Sequence, residues 1–376
     1  MMARADSFFA PSTLPELMKT ADILIVGTGS LATAVVNSLS QASIGRLRIA
    51  IVGRSTLKMA QLAHIANARS ITFGTAVTFV PFEIPQFSAQ AFSRAIRALK
   101  PKVILHVASL QSPWEAVERP SGWTKMVAAA GFGITLPLQL ALAAELSRGA
   151  ADSEAALVNA SYPDGVNPVL HRLGLRTTCG IGNSAIVEAF CRSHEKVKSE
   201  DVRVIAHHGH LGPWLKGKRL RARPRVWVDD QEIDSFAFRP NLGPIHDELN
   251  QVTAATAVSI MMSLLTGRSL RRSVPGVGGL PGGYPFHIRN GKFVLELPST
   301  IPLEEAIAQN RAGEHLDGVD LKSGVRFVGK AGQSLASAGF EYSQGYDLKD
   351  WRIVCERMIS LRDRLRRVQE QDRWPA

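Results

Sequence analysis

The chemistry in this 376-residue chain begins near its start, where Ala21 to Thr33 reads ADILIVGTGSLAT. An apolar run of this kind is a buried strand, and it breaks straight into Gly27, Gly29 and Ala32. A strand that ends this way delivers a helix N-terminus to a pyrophosphate. Gly27 permits the tight turn, Gly29 leaves no Cβ between backbone and phosphate, and Ala32 lets the helix lie close on the strand. Gly27, Thr28, Gly29, Ser30, Leu31 and Ala32 are therefore the candidate cofactor-binding residues. The next strand refines the cofactor. An NAD-preferring site usually ends it in a carboxylate that accepts from the ribose hydroxyls, whereas this chain has Gly53, Arg54 and Ser55 there. A guanidinium pairs with a 2′-phosphate and a hydroxyl adds a hydrogen bond, so NADP is expected, with NAD as the alternative. Further on, His207, His208 and His210 gather at what reads as a strand end, and imidazoles in a cleft titrate where acid/base chemistry needs them.

The elements that must position these groups alternate. After the strand, helix and strand around the glycine turn (Leu31, Val35 and Leu39 marking the helix; Leu47 to Val52 the second strand), strands are expected at Val77 to Pro81, Val103 to Val107 and Ala155 to Asn159. Helical patterns at Phe92 to Leu99 and Leu136 to Leu146 separate them, which is the rhythm of a doubly wound parallel sheet. The polar, Pro- and Trp-containing stretch Ser109 to Trp123 leaves the carboxyl end of a strand, where such sheets bind ligands. It reads as a substrate lid, with Gln111 as a substrate-binding candidate. The second half predicts a helix over Asn183 to Lys196, a strand over Val202 to His207, a hairpin around Asp229 and Asp230, and a long apolar helix from Glu248 to Leu265. It also predicts a hairpin turning at Asn290 and Gly291, the glycine-rich loop VPGVGGLPGGYP, and a closing basic amphipathic helix over Asp347 to Arg367.

The fold class that follows is α/β: an N-terminal Rossmann doubly wound parallel sheet, then an α+β substrate domain. The expected divisions are an extension over residues 1–20, an NADP-binding domain over 21–160, a substrate domain over 161–345, and a C-terminal helix over 346–376 that packs back on the cofactor domain. With 45% apolar and 20% charged residues, the chain can bury one large core or two moderate ones. No membrane span and no signal core are expected, so a soluble cytoplasmic protein is. Cys179, Cys191 and Cys355 are too few and too scattered for a disulfide framework. The formal charge of +11 peaks at Lys216 to Arg225. That run lacks interleaved aromatics, so it reads as a solvated segment or a field for anionic ligands, with no nucleic-acid partner expected.

The segment from Ala156 to Trp214 gives the rest. A strand ends at Asn159, CGIGNSAIVEAF follows, and then VRVIAHHGHLGPW. In the order of these elements from about Ala21 to Leu265 the chain resembles the lactate/malate dehydrogenase superfamily. The resemblance implies an oxidoreductase that passes hydride between a nicotinamide cofactor and a C=O or C=N group of a small metabolite. It also implies a homodimer or homotetramer. It places Asn159 on substrate and nicotinamide, His208 as the acid/base that exchanges a proton with the reacting oxygen, and Thr253 on the substrate. The family's Asp, which orients the His, falls at Ala185 without gaps and at Asn183 with one. Its substrate-gripping Arg falls at Glu188. A Glu there repels a carboxylate and favours an amine or iminium, or else itself holds His208 in place of the missing Asp. Glu188 is therefore a candidate both for catalysis and for substrate binding. The chain is also similar to the NAD- and manganese-dependent glycosidases, which share the core. That likeness implies Cys179 and His210 as metal ligands, against the leading expectation of no metal. A third alternative is a non-catalytic NADP-binding protein.

Overall fold

The computed structural model describes residues 20–42, 45–199, 201–242 and 247–367. The expected N-terminal extension falls almost wholly outside them. The first half is one parallel sheet with helices on both faces. Its strands are β1 (Ile23–Val26), β2 (Leu47–Gly53), β3 (Val77–Glu83), β4 (Val103–His106), β5 (Ala156–Asn159) and β6 (Cys179–Gly180), in the spatial order β3-β2-β1-β4-β5-β6. Every pairing in it is parallel. This is the Rossmann order, and its ligand crevice lies where the order reverses, between the carboxyl ends of β1 and β4.

The strand β1 reads ILIV and is buried along its whole length, as a strand covered on both faces must be. The connecting helices are α1 (Ser30–Ser40), α2 (Thr56–Thr72), α3 (Ala89–Leu99), the short α4 (Glu115–Glu118), α5 (Gly122–Ala130), α6 (Leu136–Gly149) and α7 (Pro163–Arg172).

The second half begins with α8 (Ser184–Arg192), β7 (Val202–Ile205) and α9 (His208–Leu215), followed by the hairpin β8 (Arg225–Val228) and β9 (Gln231–Ile233). Asp229 and Asp230 turn that hairpin with φ of 50° and 65°, and Asn290 and Gly291 turn a second one with 48° and 72°. Both are type I′ geometry. The helix α10 (Leu249–Thr266) is long and apolar enough to cross a membrane by composition. Here it is a core helix, with Ala254, Ala257, Ile260 and Met261 fully buried in the cluster that also contains Ala32, Val35 and Val36 of α1.

Beyond it come β10 (Leu270–Pro275), β11 (Gly283–Arg289) and β12 (Lys292–Leu295), an antiparallel sheet whose first strand the alternation had not marked. The glycine-rich loop shrinks to residues 276–282 between β10 and β11. Its glycines serve packing: a Cβ on Gly276 would come within 2.5 Å of Asn167, and one on Gly279 within 2.6 Å of His171. Then follow α11 (Leu303–Leu316), the short pair β13 (Val319–Asp320) and β14 (Arg326–Phe327), α12 (Lys330–Ser337) and α13 (Trp351–Arg366).

The last helix buries Trp351, Val354, Met358 and Leu361 in one cluster with Trp123 and Met126 of α5 and Leu138 and Leu140 of α6. Its arginines reach further. Arg366 clamps the carboxylate of Glu115 through Nε at 2.7 Å and Nη2 at 2.6 Å, and Arg362 donates to the carbonyl of Leu110 at 2.7 Å. The stretch expected to be a substrate lid is thus tied to the body from behind.

Candidate active site

A single cleft of about 650 Å³ runs along the carboxyl edge of the parallel sheet, from the glycine turn to His208. At one end Gly27 has φ +130°, and a Cβ there would meet the backbone of Val107 and Ala108 at 3.1 Å. Gly29 opens the other way, with nothing within 4 Å of its Cβ direction. It precedes α1, whose first N–H groups have no partner within the helix. Ala32 is fully buried against the sheet. A tight strand, an open glycine and a helix N-terminus in that order fit a pyrophosphate.

Thr28, Ser30 and Leu31 also line this end. Beside them, at the end of β2, stand Arg54, Ser55 and Lys58. Ser55 caps α2 by accepting from the backbone N–H of Lys58 at 3.4 Å, and the Arg54 guanidinium lies 5.9 Å from the centre of the Phe87 ring. The group is two cations and a hydroxyl, with no carboxylate where an NAD-type ribose contact would be.

At the other end His208 is the first residue of α9, not the end of a strand. The chain turns into the helix because His207 caps it, accepting from the N–H of Gly209 at 3.1 Å. The Nδ1 of His208 lies 2.8 Å and 3.0 Å from the two carboxylate oxygens of Asp317, just beyond α11. Asp317 also accepts from the Tyr162 hydroxyl at 3.1 Å. An Nδ1–H held by a carboxylate fixes the tautomer and leaves Nε2 as the nitrogen available to the cleft. The ring lies 4.9 Å from that of Phe132 and 5.3 Å from that of Tyr162, the latter edge-on.

Burial alone would lower the proton affinity of His208. The charge and hydrogen bond of Asp317 outweigh it, so the pKa is raised above 6.5. The reverse holds for Asp317: burial pushes its pKa up, and the facing His208 brings it below the usual carboxylate range. A second buried carboxylate, Asp164, accepts from the backbone N–H of His208 at 3.1 Å and from the amide nitrogen of Asn183. Burial raises its pKa to about 6 despite the opposing His208 charge. Tyr162 and Asn183 hold φ of 44° and 25°, backbone conformations that non-glycine residues adopt at a cost and that gather at functional sites.

The other candidates separate. Thr253 lines the cleft. Asn159 does not. Its Oδ1 takes His106 Nδ1 and the N–H of Ser161, each at 2.9 Å, and its Nδ2 donates to Asn167 at 2.8 Å and to the carbonyl of Ser161 at 3.2 Å. It shapes the turn that carries Ser161 and Tyr162, and its polar atoms are taken up within the protein.

Glu188 is a correction in both of its expected roles. It is fully buried away from the cleft, accepting from Arg272 at 2.9 Å and from the N–H of Ser273 at 2.6 Å. It neither holds His208 nor faces a substrate, which removes the ground for an amine. Gln111 is corrected too. Its amide carbonyl accepts from Trp123 at 2.8 Å and its Nε2 donates to Glu115 at 2.9 Å, so it braces the lid from inside.

Cys179 sits on β6 with burial pushing its thiol up to about 12, and His210 Nδ1 is taken by the backbone N–H of His207 at 3.1 Å. Neither belongs to a group of three metal-binding side chains, and among the described residues there is no such group.

Sequence reasoning missed Asp317 and Tyr162. The signal for Asp317 lay in the spacing Asn310, Gly313, Glu314, Asp317, one face of α11 and its end, which is polar and nevertheless buried.

No family model and no curated protein matches the chain. Among solved structures, it is similar to the lactate dehydrogenase of Eimeria maxima with NADH and oxamate. That match has 13% identity and a TM-score of 0.49, covering 83% of this chain and 95% of the other. It is also similar to the lactate dehydrogenase of Cryptosporidium parvum, at 14% and 0.48 with 80% and 97% covered. The malate dehydrogenase of the same organism gives 12% and 0.48 with 79% and 98% covered.

Proposed function

We propose that the protein is a nicotinamide dinucleotide-dependent oxidoreductase that interconverts an alcohol and a carbonyl, with His208 as its acid/base. One observation carries the reading: the glycine turn and the Asp317-held imidazole of His208 line the same cleft. The dinucleotide would lie with its pyrophosphate over Gly27 to Leu31. Arg54, Ser55 and Lys58 favour NADP, because two cations and a hydroxyl receive a 2′-phosphate, while no carboxylate stands there to accept from the ribose hydroxyls of NAD. When bound, the cofactor supplies the hydride acceptor or donor.

The chain does the rest. Asp317 holds Nδ1–H of His208, so Nε2 accepts the hydroxyl proton as the carbonyl forms and returns it in the reverse direction. Imidazolium formed in that step is stabilised by the Asp317 carboxylate beside it. Tyr162 and Phe132 fix the ring plane and keep water from that side. Thr253 belongs to the substrate end.

Fluorescence titration with NADPH and NADH tests the cofactor half. Saturable binding of both, NADPH roughly tenfold tighter or more, is expected from one additional charge-assisted pair. Failure of both to bind would refute the reading.

A further inference from the structure

The reaction end of the cleft carries a pattern of donors and acceptors that selects its substrate, an inference that rests on the oxidoreductase reading above. Three hydroxyls there give their protons to the protein. Ser161 donates to Gln139 Oε1 at 2.6 Å, Tyr162 to Asp317 at 3.1 Å, and Thr253 to the carbonyl of Leu249 at 3.1 Å. The Gln139 amide cannot reverse this, since its Nε2 donates to the carbonyl of Gln111 at 3.0 Å and so fixes Oε1 toward Ser161. Asn183 turns its amide nitrogen to Asp164, leaving its carbonyl oxygen. What these side chains offer a ligand is lone pairs.

The charges agree. His208 is flanked by two buried carboxylates, Asp317 at its ring and Asp164 at its backbone N–H. The lid brings Glu118 and Arg119, adjacent and opposite in sign, to the cleft. Beside His208 a ligand carboxylate, with only acceptors and a negative charge to offer, would meet lone pairs and like charge, and the lid cation Arg119 stands next to Glu118. Between the polar groups the wall is carbon, from Phe132, Ile186 and Leu211.

We propose that the substrate is a neutral hydroxylated compound, one that presents a second hydroxyl as donor beside the reacting carbon and lays an apolar face on Phe132 and Ile186. It is not a 2-hydroxy acid.

The test is calorimetric and does not need turnover. Cyclohexane-1,2-diol and lactate are titrated separately into protein saturated with oxidised NADP, and Thr253→Val and Thr253→Ser are compared. The diol is expected to bind at least about tenfold tighter than lactate, and to weaken roughly fivefold or more in Thr253→Val but not in Thr253→Ser, as loss of one hydrogen-bond acceptor implies. Equal or tighter binding of lactate, or no binding of the diol, overturns the substrate class. The cofactor titration in the same samples reports separately on the dinucleotide reading, so the two failures are distinguishable. A diol affinity unchanged in Thr253→Val removes Thr253 from the acceptor set and counts against the proposal.

Discussion

The two ends of the cleft are built in opposite ways. The cofactor end comes from consecutive elements, β1, α1 and β2, whose glycines, helix start and Arg54 sit within a short span of chain. The reaction end is assembled from α7, α8, α9 and the segment after α11, and its decisive contact joins His208 to Asp317 across 109 residues of sequence. In the proposed function the first is a phosphate cradle made largely of backbone. The second depends on particular side chains held at particular distances, in surroundings dry enough for Asp317 to set the protonation of His208.

Substitutions at the two ends should therefore fail differently. His208→Gln is expected to lower turnover by about 10² to 10⁴ while leaving the dissociation constant of NADPH unchanged, measured by steady-state rates and fluorescence titration side by side. Loss of cofactor binding in that variant would mean the two ends are not separable. Asp317→Asn should cost about tenfold to a hundredfold in rate. It should also shift the acid limb of the pH–rate profile for alcohol oxidation to lower pH. The sign follows from what Asp317 does: it raises the pKa of His208, oxidation needs the neutral ring, and removing the charge lets the ring stay neutral in more acid solution. A profile that does not move would make Asp317 a structural residue only. Arg54→Ala should weaken NADPH roughly tenfold and leave NADH unchanged. Equal losses for both would place Arg54 on the adenine and not on a phosphate.

Stability should carry a signature of the reaction end as well. His106 and His207 are held neutral by burial with pKa lowered to about 4, and His210 to about 3. Unfolding frees them to bind protons below 6.5, so the unfolded chain holds more protons between pH 6.5 and about 4, and stability falls as pH drops through that window. His208 works in the other direction: its contribution is full below 6.5 and disappears as pH rises through its raised pKa. Asp164, raised to about 6, and Glu314, raised to about 7, oppose the histidines by favouring the folded chain as pH drops. The test therefore compares melting temperatures of the wild type and His106→Gln from pH 7 to 4: the acid-side loss should be smaller in the variant, and an equal loss would contradict the burial of that ring.

How much of this was legible follows from the same contrast. The parallel sheet and the glycine turn are written in local patterns, a buried apolar strand, a glycine, a helical repeat, and they appear where those patterns predict. Both hairpin turns were readable because Asp-Asp and Asn-Gly tolerate positive φ. The partner of His208 was not. A polar stripe on a helix ordinarily faces water, yet here Asn310, Glu314 and Asp317 are buried because α9 delivers histidines onto them. Glu188 misled for the complementary reason. Its place on α8 predicted a free carboxylate, while Arg272, from a strand that the pattern did not show, lies 2.9 Å from it. The spacing marks a polar face, but it does not say which distant partner that face takes.

The central claim, that a dinucleotide on the glycine turn extends to His208, is tested most directly by mapping imidazole modification. Diethyl pyrocarbonate treatment followed by mass spectrometry should label His208, whose side chain is 30% exposed, and spare the fully buried His207. Saturating NADP should protect His208 while surface histidines such as His315 react as before. Undiminished labelling of His208 with cofactor bound would contradict the account.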